Sequence, residues 1–149
     1  MIITNYSKRS KSEKEEIEKI LSEEFDSMYN LKISDISLSS SRYDIMTTIS
    51  RILLKLLSLM GMSDMKETYD KDSIIIPFAN KLMMRQFISF KIIETKKIDR
   101  MKHYSYFGLL HDDKGISKIF YNWEDLKRMI EDSQNTENIF KLNRDLEAE

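Results

Sequence analysis

Apolar residues recur at helical spacing in two stretches of the chain and at strand spacing in several others. Ile17, Ile20, Leu21, Phe25 and Met28 form one stripe, with Glu and Lys between them, and Ser12 with Glu15 makes a capping box before it. This predicts a first helix with one face toward a core. A wider stripe of Ile45, Met46, Ile49, Ile52, Leu53, Leu56, Leu57 and Met60 predicts a second helix over Arg42 to Met60, capped by Ser41 and Asp44. Gly61 stands where a left-handed residue ends a helix, and apolar Met62 follows as in a Schellman ending. Between the helices, Leu31 to Ser40 is rich enough in Ile for a strand.

Met65 to Ala79 has the pattern of a hairpin turning at Asp70-Lys71-Asp72, and Pro77 restricts its second strand to an edge or an end. Lys81 to Ile93 fits two periods. Leu82, Met84, Ile88, Phe90 and Ile92 suit a strand, whereas Met83, Met84, Phe87 and Ile88 suit a helix capped by Asn80. The Leu, Met, Arg and Gln of its first half favour the helix, with a short further helix from Thr95 to about Lys102. Tyr104 to Leu110 and Ile116 to Tyr121 are β-rich runs joined by Asp112-Asp113-Lys114-Gly115, a hairpin. Asn122 and Asp125 then cap a helix with Trp123, Leu126 and Ile130 inward, ending near Ser133-Gln134-Asn135, and Ile139, Phe140 and Leu142 suggest a short strand. The expected fold class is α+β. It comprises a tail over 1–11, a core unit over 12–104, and a β-hairpin–helix unit over 105–149 packed on that core.

Composition narrows the function classes. The 149 residues are 41% hydrophobic and 33% charged, enough apolar side chain for one folded unit and no disorder signature. Cysteine is absent, which removes disulfides, thiolate metal sites and cysteine nucleophiles. No run approaches the roughly 18 apolar residues of a membrane span, so the expectation is a cytoplasmic protein with no membrane partner. Few Gly and Pro amid many Ile, Lys, Ser and Met suit an AT-rich genome such as a virus or mobile element.

The formal net charge of -1 argues against a wholly basic surface, but charge is unevenly placed. Lys81, Arg85, Lys91, Lys96, Lys97, Arg100 and Lys102 face only Glu94 and Asp99 in the same segment, while the first helix and the C-terminal unit are acidic. Such a segment suits phosphate contact with DNA or RNA, and it equally suits a solvated face. His103 and His111 lack metal-ligand spacing to another His, and His111-Asp112-Asp113 is ordinary turn composition. Glu94-Thr95-Lys96 has the acid-x-Lys form of metal-dependent nucleases, with Asp72 as the second carboxylate it would need.

The order helix, strand, helix, hairpin and two further helices over roughly Ile17 to Tyr104 resembles one repeat of the LAGLIDADG homing endonucleases and intein endonuclease domains. The stretches concerned are IEKILSEEFDSMYNLKIS, ISLSSSRYDIMTTISRILLKLLSLMGM and SIIIPFANKLMMRQF with ETKKIDRMKHY. The resemblance implies a DNA-binding scaffold whose signature helix pairs with a twin and ends in a metal-holding acid. Asp26 matches the motif's first acid and is the one catalytic candidate, but Met28 stands where the metal-binding acid belongs, Tyr29 where glycine belongs, and Glu23 where a small packing residue belongs. Gly115, Trp123, Phe140 and Ala148 are also arranged somewhat like the hybrid-binding domain of eukaryotic ribonuclease H and the caulimovirus inclusion-body protein, and an exposed Trp or Tyr near Lys would stack on a base in the same way. The expectation is a nucleic-acid-binding protein on a degenerate endonuclease-like scaffold, without nuclease activity and without cofactor. One alternative is a small viral or mobile-element regulatory factor that binds another protein. The other is a nuclease, which alone would require Mg²⁺.

Overall fold

The computed structural model describes residues 10–30, 33–34, 39–70, 73–98 and 101–147. Among these residues, three helices and six strands follow one another as α1 (Lys11–Tyr29), β1 (Ile33–Ser34), α2 (Ser39–Leu59), β2 (Thr68–Asp70), β3 (Ser73–Ala79), β4 (Arg85–Ile98), β5 (Met101–His111), β6 (Ser117–Phe120) and α3 (Trp123–Glu147). The α+β class is as the sequence predicts. All strand pairs are antiparallel in the order β1-β5-β4-β3-β2, and β6 shares with β1 the outer edge of β5.

The cap of α1 is Ser10, two residues before the expected one, because Ser10 and Glu13 repeat the same Ser-x-x-Glu spacing. The Ser10 hydroxyl accepts the Glu13 amide at 3.2 Å. Ile17, Leu21, Phe25 and Tyr29, each four residues apart, are its buried stripe. In α2 the expected stripe is the centre of the core, with Ile49, Leu53, Leu56 and Leu57 fully buried. Its end is a Schellman motif, with Met62 N–H on the Leu57 carbonyl (3.1 Å), Gly61 N–H on the Ser58 carbonyl (3.0 Å) and Gly61 at φ +82°.

Two predicted helices are strands instead. Residues 85–93 alternate, with Gln86, Ile88, Phe90 and Ile92 buried and Arg85, Phe87 and Lys91 exposed, which is strand periodicity. The Leu-Met-Met run that suggested a helix is the β3–β4 turn. There Asn80 Oδ1 accepts the amides of Leu82 and Met84, and Met83 sits at φ +62°. A local pattern resembling an N-cap therefore closes a hairpin. The expected helix from Thr95 to Lys102 is likewise paired backbone, with Lys96 opposite His103, Lys97 opposite Lys102 and Ile98 opposite Met101. Its Lys-rich sequence has helix propensity, and cross-strand pairing overrides it.

Pro77 is tolerated inside the sheet by its position. Ala79 exchanges both hydrogen bonds with Ser63, and Pro77, two residues earlier, faces the same edge, beyond the end of the β2 pairing at Ile75. The helix α3 runs past its expected stop, and the expected strand at Ile139, Phe140 and Leu142 lies within it. Ser133 donates to the Met129 carbonyl at 3.0 Å and so stays in the helix, with no Gly or Pro after it to end the run.

The inward residues Ile74, Ile76 and Phe78 of β3, Ile88, Phe90 and Ile92 of β4, and Tyr106 and Leu110 of β5 share one hydrophobic cluster with all three helices. The helices thus cover one face of the sheet, and among the described residues the other face is open. The boundary expected at 104/105 falls within β5, and the cluster includes residues from both sides of it. The side of α1 is also tied to the C-terminal part directly. Asp26 Oδ1 accepts the Trp123 amide at 2.8 Å, Glu18 accepts Trp123 Nε1 at 3.1 Å, and Tyr29 donates to the Phe120 carbonyl at 2.9 Å. Among the described residues, no helix is long and apolar enough to cross a membrane.

Candidate nucleic-acid interface

The basic residues of 81–102 do not gather on one helical face, since the described residues of that segment form a turn and strands. Lys81 lies exposed in the β3–β4 turn, and Arg85 opens β4 with its guanidinium 3.5 Å from Asp64, both side chains more than half exposed. Such a surface pair holds Arg85 only weakly. Lys91 is exposed midway along β4. Lys96, Lys97 and Lys102 belong to the far end of the β4–β5 pair, and Arg100 lies outside the described residues. Twelve residues of strand separate Arg85 from Lys97, about 40 Å at the usual rise. The set is therefore a track along one hairpin rather than a cluster.

The far end of that hairpin has a distinct form. β3 pairs with β4 only as far as Lys91, and β1 touches β5 only at His103 and Tyr104. Beyond those contacts Lys96–Ile98 and Met101–Lys102 make a two-stranded ribbon, flanked by no third strand among the described residues. The register shifts between Glu94 and Lys96, leaving Thr95 at a bulge.

The open sheet face supplies a second surface, one that the helical interpretation of 81–93 concealed. Strand register puts its residues in rows across the sheet. One row is Pro77, Phe87, His111 and Ser117. The next is Thr68, Ile75, Ser89, Leu109 and Ile119, and the next is Asp70, Ser73, Lys91 and Phe107. Ile75, Phe87 and Ile119 are each more than one-third exposed, large apolar groups in water. Phe87 and His111 stack with ring centres 4.2 Å apart and planes 6° from parallel. His111 Nε2 lies 2.8 Å from Ser89 Oγ, and Nδ1 lies 2.7 Å from Ser117 Oγ. Loss of water around the ring lowers the His111 pKa, favouring the neutral imidazole. The alternation of residues 85–93 was the signal for this face.

The remaining candidates are placed as follows. Asp26 is half-buried and its Oδ1 serves the first amide of α3, a structural contact. Asp112 does not join His111 in a metal cluster, because its Oδ1 accepts the amides of Lys114 (2.9 Å) and Ile116 (2.8 Å) and so shapes the turn. No group of three His, Asp or Glu residues stands at metal-holding distance among the described residues. Glu94 lies within β4 rather than at a helix boundary, and Asp72 is outside the described residues. Trp123 cannot stack on a base, since it is 2% exposed and hydrogen-bonded to Glu18. Comparison with protein-family models, with curated proteins and with solved structures returns no match.

Proposed function

We propose that the protein binds nucleic acid along the β4–β5 hairpin and does not cut it. The observation that carries this reading is the ribbon at the end of that hairpin, where Lys97 and Lys102 are cross-strand partners and Lys96 pairs with His103. Like charges directly opposite one another disfavour strand pairing. A polyanion laid along the ribbon turns that cost into attraction, and Lys91 and Arg85 continue the positive track down β4. Phosphate contacts of this kind position a nucleic acid without reading its sequence.

The part of the endonuclease-like order kept in this proposal is α1-β1-α2-β2-β3, and the two further helices of that order are the strands β4 and β5 here. The family's catalysis is lost from it, because the one matching acid, Asp26, is occupied at the start of α3. A mobile-element or viral setting accords with the composition. The alternative of a factor that binds only another protein predicts no retention on nucleic acid at any salt concentration.

Fluorescence anisotropy with labelled 20-nucleotide single strands and 20-base-pair duplexes tests the reading. Affinity is expected to fall steeply with salt. The variant K96A/K97A/K102A is expected to flatten the log–log slope by about 0.7–0.9 per lost contact, equally for all base sequences. Absence of binding at low ionic strength, or a triple variant that binds as the parent does, overturns the proposal.

A further inference from the structure

The open face of the sheet carries apolar and aromatic side chains among Ser and Thr, with one cation, Lys91, and one acid, Asp70, in the same row. Lys91 is the direct cross-strand partner of Phe107, and Phe87 with its stacked His111 lies two rows away on the same two strands. Ile75, Leu109 and Ile119 fill the row between, around Ser89. β4 and β5, which carry this face, are the strands that extend into the basic ribbon.

Three occupants are conceivable, and the geometry separates them. A second copy of the chain would pack sheet on sheet. Three rows across five strands span about 20 Å by 24 Å, or about 480 Å², little more than half of what each side of a standard interface buries. A duplex would present its charged backbone to Ile75, Leu109 and Ile119, which offer phosphate nothing, while its bases remain inside their own stack. Unpaired bases are different. They present π-faces and apolar edges to aromatic side chains, and each carries a phosphate that a neighbouring lysine can reach.

We infer that the open face takes unpaired bases, so that the ligand of the proposed binding activity is single-stranded nucleic acid. Phe107 and the Phe87–His111 pair are its stacking platforms, and Lys91, beside Phe107, is the phosphate contact. The strand then runs from this face onto the ribbon. This inference rests on the nucleic-acid reading above and narrows it to one class of ligand.

The test compares a labelled 12-nucleotide oligothymidylate with a duplex of the same length, by anisotropy at fixed salt. The single strand is expected to bind at least ten-fold more tightly. F107L keeps an apolar side chain but removes the ring and is expected to weaken single-strand binding roughly ten-fold, whereas F107Y keeps the ring and binds as the parent does. Circular dichroism and thermal melting of each variant establish that it is folded. F87L supplies the same measurement at the second platform if F107L does not fold. Equal affinity for duplex and single strand, or full binding by the folded leucine variants, overturns the assignment of this face while leaving the ribbon proposal standing. Loss of all nucleic-acid binding in the parent protein overturns both. A stable dimer in solution that is dissociated by K91E would show the face to be a self-interface instead.

Discussion

Gly108→Ala is a sharp test of the packing between the N-terminal helix and the C-terminal half of the sheet. A Cβ at this position would lie 2.4 Å from Phe120 Cζ, 2.5 Å from the Tyr29 hydroxyl and 2.8 Å from Phe120 Cε1. Neither neighbour has room to yield. Phe120 is fully buried, and Tyr29 is stacked against Phe25 and Phe120 with ring centres 5.3 Å away in each case. Tyr29 must rotate out of its hydrogen bond to the Phe120 carbonyl or β5 must shift by about 1 Å. Overpacking of this kind costs about 1–3 kcal/mol. Loss of the buried hydrogen bond adds about 1–3 kcal/mol. The expected destabilisation is therefore about 2–6 kcal/mol, a large part of the stability of a domain this size. Urea unfolding followed by the fluorescence of Trp123 measures it. Tyr29→Phe alone is expected to cost about 1–2 kcal/mol, and clearly less in the Gly108→Ala background, since the hydroxyl it removes is one of the clashing atoms. Strict additivity of the two substitutions, or a cost below 1 kcal/mol for Gly108→Ala, refutes the packing argument.

Three further expectations follow from the same interior. Leu53→Ala, at a fully buried position in the middle of α2, is expected to cost about 2–5 kcal/mol in chemical denaturation, and a value below 1 kcal/mol would contradict its central place in the core. Asp26→Ala removes the acceptor of the Trp123 amide and is expected to lower stability by about 1 kcal/mol while leaving nucleic-acid binding unchanged, measured by melting and anisotropy on the same sample. Burial raises the Tyr29 phenol above its ordinary pKa of 10.0, so the unfolded chain loses its proton first. Its contribution is complete below pH 10 and declines as pH rises further, and Tyr29→Phe is expected to reduce the alkaline loss of stability in pH-dependent melts.

What the sequence by itself determined is where its local signals agreed. The helix stripes of α1 and α2 needed only a period near 3.6. The end of α2 was legible in Gly61-Met62, because a left-handed residue followed by an apolar one satisfies the last carbonyls in one way. The start of α3 was legible too, with Asn122 Oδ1 accepting the Asp125 amide at 2.8 Å. The uneven charge of 81–102 and its candidate residues were also visible without any structure.

Only the tertiary structure decided what that basic segment is. Residues 82–85 favour a helix by propensity and 86–93 a strand by alternation, and these local preferences differ by less than the pairing with β3 and β5 contributes. With the strand assignment, Phe87 and Lys91 come to share a face with Phe107 and His111, an adjacency between positions up to 24 apart in sequence that no local pattern encodes. The same holds for Asp26 and Trp123. The carboxylate that resembled a catalytic residue on its own helix is the cap of a helix that starts 97 positions later, because backbone amides at a helix start demand an acceptor and chain folding brought this one within reach.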